Sequence, residues 1–341
     1  MDRLMIAGGA GFIGSNFVRY LLQERRDCLV VNLDKLTYAG NLENLAEVEH
    51  DKNYAFVKGS ICDRKLVHQV LSTYAIDCVV NFAAESHVDR SILGPELFVE
   101  TNVRGTQMLL EVAKDLGVSK FVQVSTDEVY GELGATGYFT EETPLAPNSP
   151  YSASKAAADM LCRAYSRTYG LPVVITRCSN NYGPYQFPEK LIPLMIYRAS
   201  RDERLPVYGD GTNVRDWIYV LDHCTAMDAV VREGKPGEVY NIGAGCEWQN
   251  IEIVQLIVGR LGKSNDLIEF VKDRPGHDKR YAMDASKIRK ELGWRPRYGF
   301  EEGVDETIRW YLAHAEWVEN CVSGEYLEYY EQNYGRRGND T

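Results

Sequence analysis

Short, almost unbroken apolar runs alternate with longer stretches of helical period through the first half of the chain. Leu4–Ala7, Leu29–Leu33, Tyr54–Val57, Cys78–Phe82, Phe121–Val124 and Val173–Thr176 are rich in Val, Ile and Phe. They read as strands buried on both faces of a parallel sheet. Ile13–Gln23, Arg64–Thr73, Pro95–Leu116 and Pro150–Tyr169 read as the helices between them. Such alternation predicts a doubly wound α/β domain. From about residue 183 the prolines Pro184, Pro188, Pro193 and Pro206 loosen the pattern, and helical period returns at Val220–Arg232, Ile251–Leu261, Ala285–Leu292 and Phe300–Ala313. The expected organisation is a first domain over 1–182, with parts of 215–245 returning to it, a smaller α/β domain over 183–334, and a polar tail over 335–341.

Composition narrows the function classes. Lys plus Arg total 38 against 49 acidic residues, a formal net charge of -11. That balance argues against broad nucleic-acid binding and leaves room for a local basic pocket. The 8 cysteines show no CxxC and the 6 histidines no HExxH, so no metal site is expected and the thiols read as free and mostly buried. No run of about 18 apolar residues suggests a membrane span. The N-terminus enters a strand at once, so no signal peptide and a cytoplasmic location are expected.

Gly8-Gly9-Ala10-Gly11-Phe12-Ile13-Gly14 lies between the first strand and the first helix. Glycines at 8, 11 and 14 suit a tight turn, close approach of backbone to a pyrophosphate, and a helix N-terminus aimed at its charge. Asp34 ends the second strand about 20 residues later, where a carboxylate bonds a ribose 2′-hydroxyl and repels a 2′-phosphate. The expected fold of the first domain is therefore a Rossmann type, and NAD is favoured over NADP, although Lys35 is adjacent. Tyr151 and Lys155 stand four apart, on one helix face. An ammonium beside a phenol favours its phenolate, so Tyr151 is suited to take a proton from a substrate hydroxyl while hydride leaves.

The glycine turn, Asp34, Ser125-Thr126 and the Tyr151/Lys155 pair resemble the extended short-chain dehydrogenase/reductase family over essentially the whole chain. That family acts mostly on nucleotide sugars. Thr126-Asp127-Glu128 narrows the resemblance. Related epimerases look like Ser-Ser-Ala here, decarboxylases and GDP-mannose dehydratases usually carry Ser at the Asp position, and inverting dehydratases carry Lys at the Glu position. Thr-Asp-Glu is similar to the dTDP-glucose 4,6-dehydratases. So are Asp34–Asn41, Ala83–Ser91, Cys178–Tyr185, Phe187–Pro193, Arg215-Asp216-Trp217 and Asp273–Asp278.

The resemblance implies a set of roles. Gly8, Gly11, Phe12, Ile13, Gly14, Lys35, Leu36, Thr37, Gly40, Phe82, Ala83, Ala84 and Ser86 would surround NAD. Lys155 and Asp34 would hold its riboses, Ser60 and Ile61 would face the adenine, and Thr101 and Asn181 would lie along it. Ser86, His87, Thr126, Asn180, Lys190, Leu191, Pro206, Val207 and Tyr208 would line the sugar nucleotide. Arg215 and Arg274 would clamp its diphosphate, with Asn250 and His277 on the nucleotide. Ser60 departs from the pattern, which usually has an Asp on the adenine amino group, and Ala7 replaces a usual Thr.

The implied reaction is internal redox with loss of water, yielding a 4-keto-6-deoxy sugar for deoxysugar biosynthesis. Tyr151 starts oxidation at C4, Glu128 removes the C5 proton and Asp127 protonates the departing 6-hydroxyl, assisted by Thr126. A UDP-glucose 4,6-dehydratase or another nucleotide-sugar epimerase remains the alternative, as does an NAD-sensing protein on the same fold. A homodimer built on Pro95–Leu116 and Pro150–Tyr169 is also implied.

Overall fold

The computed structural model describes residues 1–322, so the expected tail over 335–341 lies outside the described residues. The first half runs β1 (Arg3–Ala7), α1 (Phe12–Glu24), β2 (Leu29–Asp34), β3 (Tyr54–Lys58), α2 (Arg64–Thr73), β4 (Cys78–Asn81), α3 (Val88–Leu93), α4 (Pro95–Phe98), α5 (Thr106–Asp115), β5 (Lys120–Thr126), α6 (Pro150–Tyr169) and β6 (Val173–Cys178). A seven-stranded sheet takes the order β10-β6-β5-β4-β1-β2-β3, in which β10 is Val239–Ile242, and its pairings are parallel.

Alternation along each strand feeds two cores. Leu4 and Ile6 of β1 join Phe17, Val18 and Leu21 of α1 on one face. Met5 and Ala7 join Val67, Leu71, Leu109 and Leu110 of α2 and α5 on the other. Both faces are covered, which is why the strands read as continuous apolar runs.

The rest comprises β7 (Asn180–Tyr182), α7 (Leu191–Ser200), β8 (Leu205–Tyr208), β9 (Val214–Tyr219), α8 (Val220–Glu233), β10, β11 (Glu247–Gln249), α9 (Asn250–Arg260), β12 (Ile268–Val271), α10 (Ser286–Leu292), α11 (Phe300–Ala313) and α12 (Ala315–Cys321). The sheets β11-β9-β7 and β12-β8, with α7, α9 and α11, enclose a third core. The chain returns to the large sheet through α8 and β10. Ser286–Leu292, expected in the second domain, packs Ile288 into the core of the first.

Two local features differ from the sequence reading. The single helix expected over Pro95–Leu116 is interrupted by a π-helical stretch, Val99–Gly105. There Asn102 is pulled into contacts outside its own helix, described below. β5 starts at Lys120, whose buried ammonium donates to the carbonyls of Val231 (2.9 Å), Gly234 (2.9 Å) and Val230 (3.3 Å) at the end of α8. The cation sits where the helix dipole is negative, pinning α8 to the sheet.

Candidate active site

The strand order reverses between β1 and β4: the chain winds from β1 outward to β3, then crosses to β4 and beyond. A crevice opens at the carboxyl ends of strands at such a switch point. The turn after β1 forms one lip. Gly8 has φ +79°, and a Cβ there would lie 2.6 Å from the Ala83 nitrogen in the loop after β4; a Cβ on Gly14 would lie 2.2 Å from the Gly8 carbonyl oxygen. Neither position has space for a side chain. α1 starts after Gly11 with no side-chain cap and no acidic residue in its first turn, so its amino end is open to an anion.

At the end of β2, the Asp34 carboxylate accepts from the Ala10 nitrogen (2.9 Å) and the Leu36 nitrogen (2.8 Å). Leu36 adopts φ +59° to present that N–H. Burial raises the Asp34 pKa, and these backbone donors oppose the shift.

From this turn a cavity of about 300 Å³ extends to Lys190. Its wall brings together Gly8, Gly11, Phe12, Ile13, Gly14, Asp34, Lys35, Thr37, Gly40, Ser60, Ile61, Phe82, Ala83, Ala84, Ser86, Thr101, Thr126, Asp127, Glu128, Tyr151, Lys155, Asn180, Asn181 and Lys190. Leu36, His87, Leu191, Pro206, Val207, Tyr208, Arg215, Asn250, Arg274 and His277 stand outside that wall. Val207 is in the third core, whereas Arg215 and Arg274 join the carboxylates electrically, as described next. Glu85, Ser179, Gln186, Phe187 and Glu189 line the cavity without having been assigned roles from sequence. Glu189 lies in the run Phe187–Pro193, and nothing in that run signals its pairing with Arg90 at 3.3 Å.

The reactive cluster is built by two helix starts. Ser149 and Ser152 form a capping box at the head of α6, with Pro150 in its first turn, and this fixes Tyr151 and Lys155 on the buried face. Lys155 Nζ donates to the Val124 carbonyl at 2.7 Å. After β5, Thr126 caps a 3₁₀ turn, accepting from the Glu128 nitrogen at 3.3 Å, and donates to Asp127 Oδ1 at 3.2 Å. Asp127 Oδ2 is buried with no hydrogen-bond partner among the described residues.

Electrostatics separates the two carboxyls. Burial, the Glu128 charge and Asp216 push Asp127 well above the usual carboxylate range. Burial also raises Glu128, but Arg274, Lys190 and Arg215 pull it back. Thus Asp127 is the one favoured to hold a proton and Glu128 the one favoured to be ionised. Burial is the largest cause raising the Tyr151 phenol, followed by the Glu128 charge, so the free site holds Tyr151 protonated. Among the described residues, no group of three metal-ligating side chains is present.

Asn102, in the π-helical stretch, joins the cavity walls. Its Oδ1 accepts from the Glu85 nitrogen (2.9 Å), and its Nδ2 donates to the Glu85 carbonyl (3.0 Å) and to Ser154 Oγ (2.8 Å). Ser154 in turn donates to the Tyr151 carbonyl at 2.7 Å. The loop after β4 and the helix bearing Tyr151 are thereby held by one side chain.

Comparison with known proteins agrees with this arrangement. The family model described as GDP-mannose 4,6 dehydratase matches residues 5–307. The chain is 55% identical over 344 residues to a dTDP-glucose 4,6-dehydratase of Xanthomonas campestris pv. campestris (strain B100), covering 96% of this chain and 97% of that protein. The crystal structure of a dTDP-glucose 4,6-dehydratase from Bacillus anthracis in complex with NAD superposes with TM-score 0.89 at 52% identity, covering 94% of this chain and 100% of that one. One from Streptomyces venezuelae with NAD bound gives TM-score 0.91 at 51% identity, covering 94% and 99%.

Proposed function

We infer the reaction from one premise: the chain belongs to the nucleotide-sugar 4,6-dehydratases of the extended short-chain dehydrogenase/reductase family, on their dTDP-glucose branch. It is a hydro-lyase that converts dTDP-glucose to dTDP-4-keto-6-deoxyglucose and water. The observation that carries this reading is the buried Asp127 with the half-buried Glu128 next to it, beside Tyr151 on the wall of one cavity. A plain epimerase or a sensor has no use for an acid and a base beyond Tyr151.

NAD fits the site: the glycine turn has no space for a Cβ at Gly8 or Gly14, the α1 amino end is open, and Asp34 is set for a ribose. When bound, NAD supplies the hydride acceptor that oxidises C4 and later returns the hydride to C6. Gly8, Gly11 and Gly14 would flank its diphosphate, Asp34 and Lys155 its riboses, and Ser60 and Ile61 its adenine. In our assignment, Tyr151, protonated in the free site, releases its phenol proton when the positive charge of bound NAD joins that of Lys155, and the phenolate takes the proton of the sugar 4-hydroxyl. Glu128 removes the C5 proton made acidic by the 4-ketone, and a proton goes back to C5 when the hydride is added at C6. Asp127 gives its proton to the departing 6-hydroxyl oxygen, held in place by Thr126. Asn180 and Lys190 would support the sugar, and Arg215 and Arg274, whose charges reach Glu128, would clamp its diphosphate.

The direct test is parallel incubation with dTDP-glucose and UDP-glucose, reading the 4-keto product by its absorbance in alkali. Turnover of dTDP-glucose is expected to exceed that of UDP-glucose by about tenfold or more, the scale of one missing methyl contact together with an added ribose 2′-hydroxyl. Equal rates would move the assignment to a base-indifferent or uridine enzyme.

The adenine end supports a second expectation. Ser60 Oγ accepts from the Cys62 nitrogen at 3.2 Å, and the nearby Asp63 carboxylate is engaged in capping α2 through Lys65 and Leu66. An adenine amino group there meets a neutral hydroxyl in place of a carboxylate. Ser60→Asp is expected to slow NAD loss on gel filtration by about tenfold, the gain of a charge-assisted over a neutral hydrogen bond. Unchanged retention would mean the base is held elsewhere.

We also propose a homodimer. Leu93, Leu97 and Val99 are 66%, 47% and 55% exposed, and Met160 on the neighbouring α6 is 48% exposed. These make an apolar face on the helices that the resemblance assigns to dimerisation. The free cysteines suit a reducing compartment, which favours the cytoplasm. Among the described residues no helix is long and apolar enough to cross a membrane.

A further inference from the structure

Behind the reactive cluster lies an ion pair that these roles do not use. Asp159 is one helical turn beyond Lys155 on α6, on the same buried face, and is fully buried. Its Oδ2 accepts from Arg177 Nε at 2.9 Å. Arg177 belongs to β6, in register with Ser125 of β5, and is itself buried. Its guanidinium lies over the Tyr130 ring, 4.8 Å from the centroid, and donates to the Tyr130 hydroxyl at 3.0 Å. Tyr130 passes the chain on by donating to Asn241 at 2.7 Å. Lys155, Asp159 and Arg177 therefore form a buried row of two cations and one anion.

We propose that Asp159 and Arg177 are positioning residues that set the charge of Lys155, and through it the readiness of Tyr151 to accept a proton. Burial pulls the Lys155 ammonium toward its neutral form, and Asp159 is the first charge opposing that pull. A lone carboxylate one turn away would also cancel the lysine charge felt at Tyr151. Arg177 prevents this by taking the carboxylate into its own bond, so the row keeps a net charge of one. The other titratable groups around Lys155 are Cys162 from α6 and Cys178 from β6. Burial raises both thiols, so they stay neutral. Tyr151 is faced by Glu128 and Asp127 from the turn after β5, and by Cys178.

The two partners then have opposite signatures in the pH profile of kcat. Asp159→Asn leaves two buried cations, Lys155 releases its proton sooner, and the alkaline limb moves down by about one pH unit. Arg177→Gln keeps a donor for Asp159 and removes the charge, so Asp159 neutralises Lys155 and the acid limb moves up by a similar amount. The double variant restores the net charge of one and is expected to return both limbs to their wild-type positions. Thermal melts establish that each variant is folded; should Asp159→Asn not fold, the Arg177→Gln acid limb and its return in the double variant carry the test. A purely structural pair would lower kcat evenly with both limbs unmoved, and that result overturns the proposal. The inference rests on Tyr151 as the base: oxidation surviving in Tyr151→Phe sinks that reading, whereas unmoved limbs in an enzyme that needs Tyr151 sink this one.

Discussion

Replacing Tyr151 by Phe is expected to cost about four orders of magnitude in turnover, the upper range for a positioned acid–base group. The ring itself is retained, including its edge contact with Phe98 at 6.3 Å between centroids, so folding and cofactor retention should change little. What is lost is the oxygen that takes the 4-hydroxyl proton. Because every later step depends on the 4-ketone, the variant should also fail to exchange the C5 proton with heavy water. Single-turnover absorbance of reduced nicotinamide and mass spectrometry of the recovered sugar read the two losses. Residual C5 exchange near the normal rate would remove Tyr151 from the start of the reaction.

Glu128→Gln is expected to divide the reaction at its middle. The amide keeps the shape of the side chain but cannot accept the C5 proton, so oxidation at C4 should proceed while deuterium uptake at C5 stops. Enzyme with reduced cofactor should accumulate, and overall turnover should fall by about 10²–10⁴-fold. Asp127→Asn should behave differently. It removes the protonated carboxyl that burial and the Glu128 charge maintain, so water loss should slow more than oxidation or exchange. A Glu128→Gln enzyme that exchanges C5 normally would require the two roles to be swapped.

Much of this site is legible in the chain because its parts are local. The glycine turn, Asp34 and the Tyr151/Lys155 spacing are each written within one strand–turn–helix unit, and the carboxylate pair follows a buried strand directly. Charges whose partners arrive from elsewhere are the ones misread. The apolar run Val173–Thr176 stops before Arg177; β6 continues through it to Cys178 because Asp159 meets it inside. The apolar run of the preceding strand likewise starts at Phe121, while Lys120 is inside, under the carbonyls of α8. Arg215 and Arg274 carry a sequence signature, but their bearing on Glu128 depends on how the second half folds over the crevice. Tyr281, whose ring lies 4.2 Å from the Arg215 guanidinium, carries no signal in its own neighbourhood.

The π-helical stretch at Val99–Gly105 has a cost that the rest of the helix does not share. A π turn amounts to one residue inserted into an α-helix, with looser hydrogen bonding. Deleting that extra residue would let α4 and α5 join in a regular ladder, and the helix taken alone would gain by it. Yet everything on one side of the deletion would rotate by about 100°, one residue's share of a turn. Asn102 would then swing away from Glu85 and Ser154, and Thr101 away from the cavity wall. The segment is thus held in a locally frustrated register, in which a less favourable helix is the condition for keeping two walls of a reaction chamber in step.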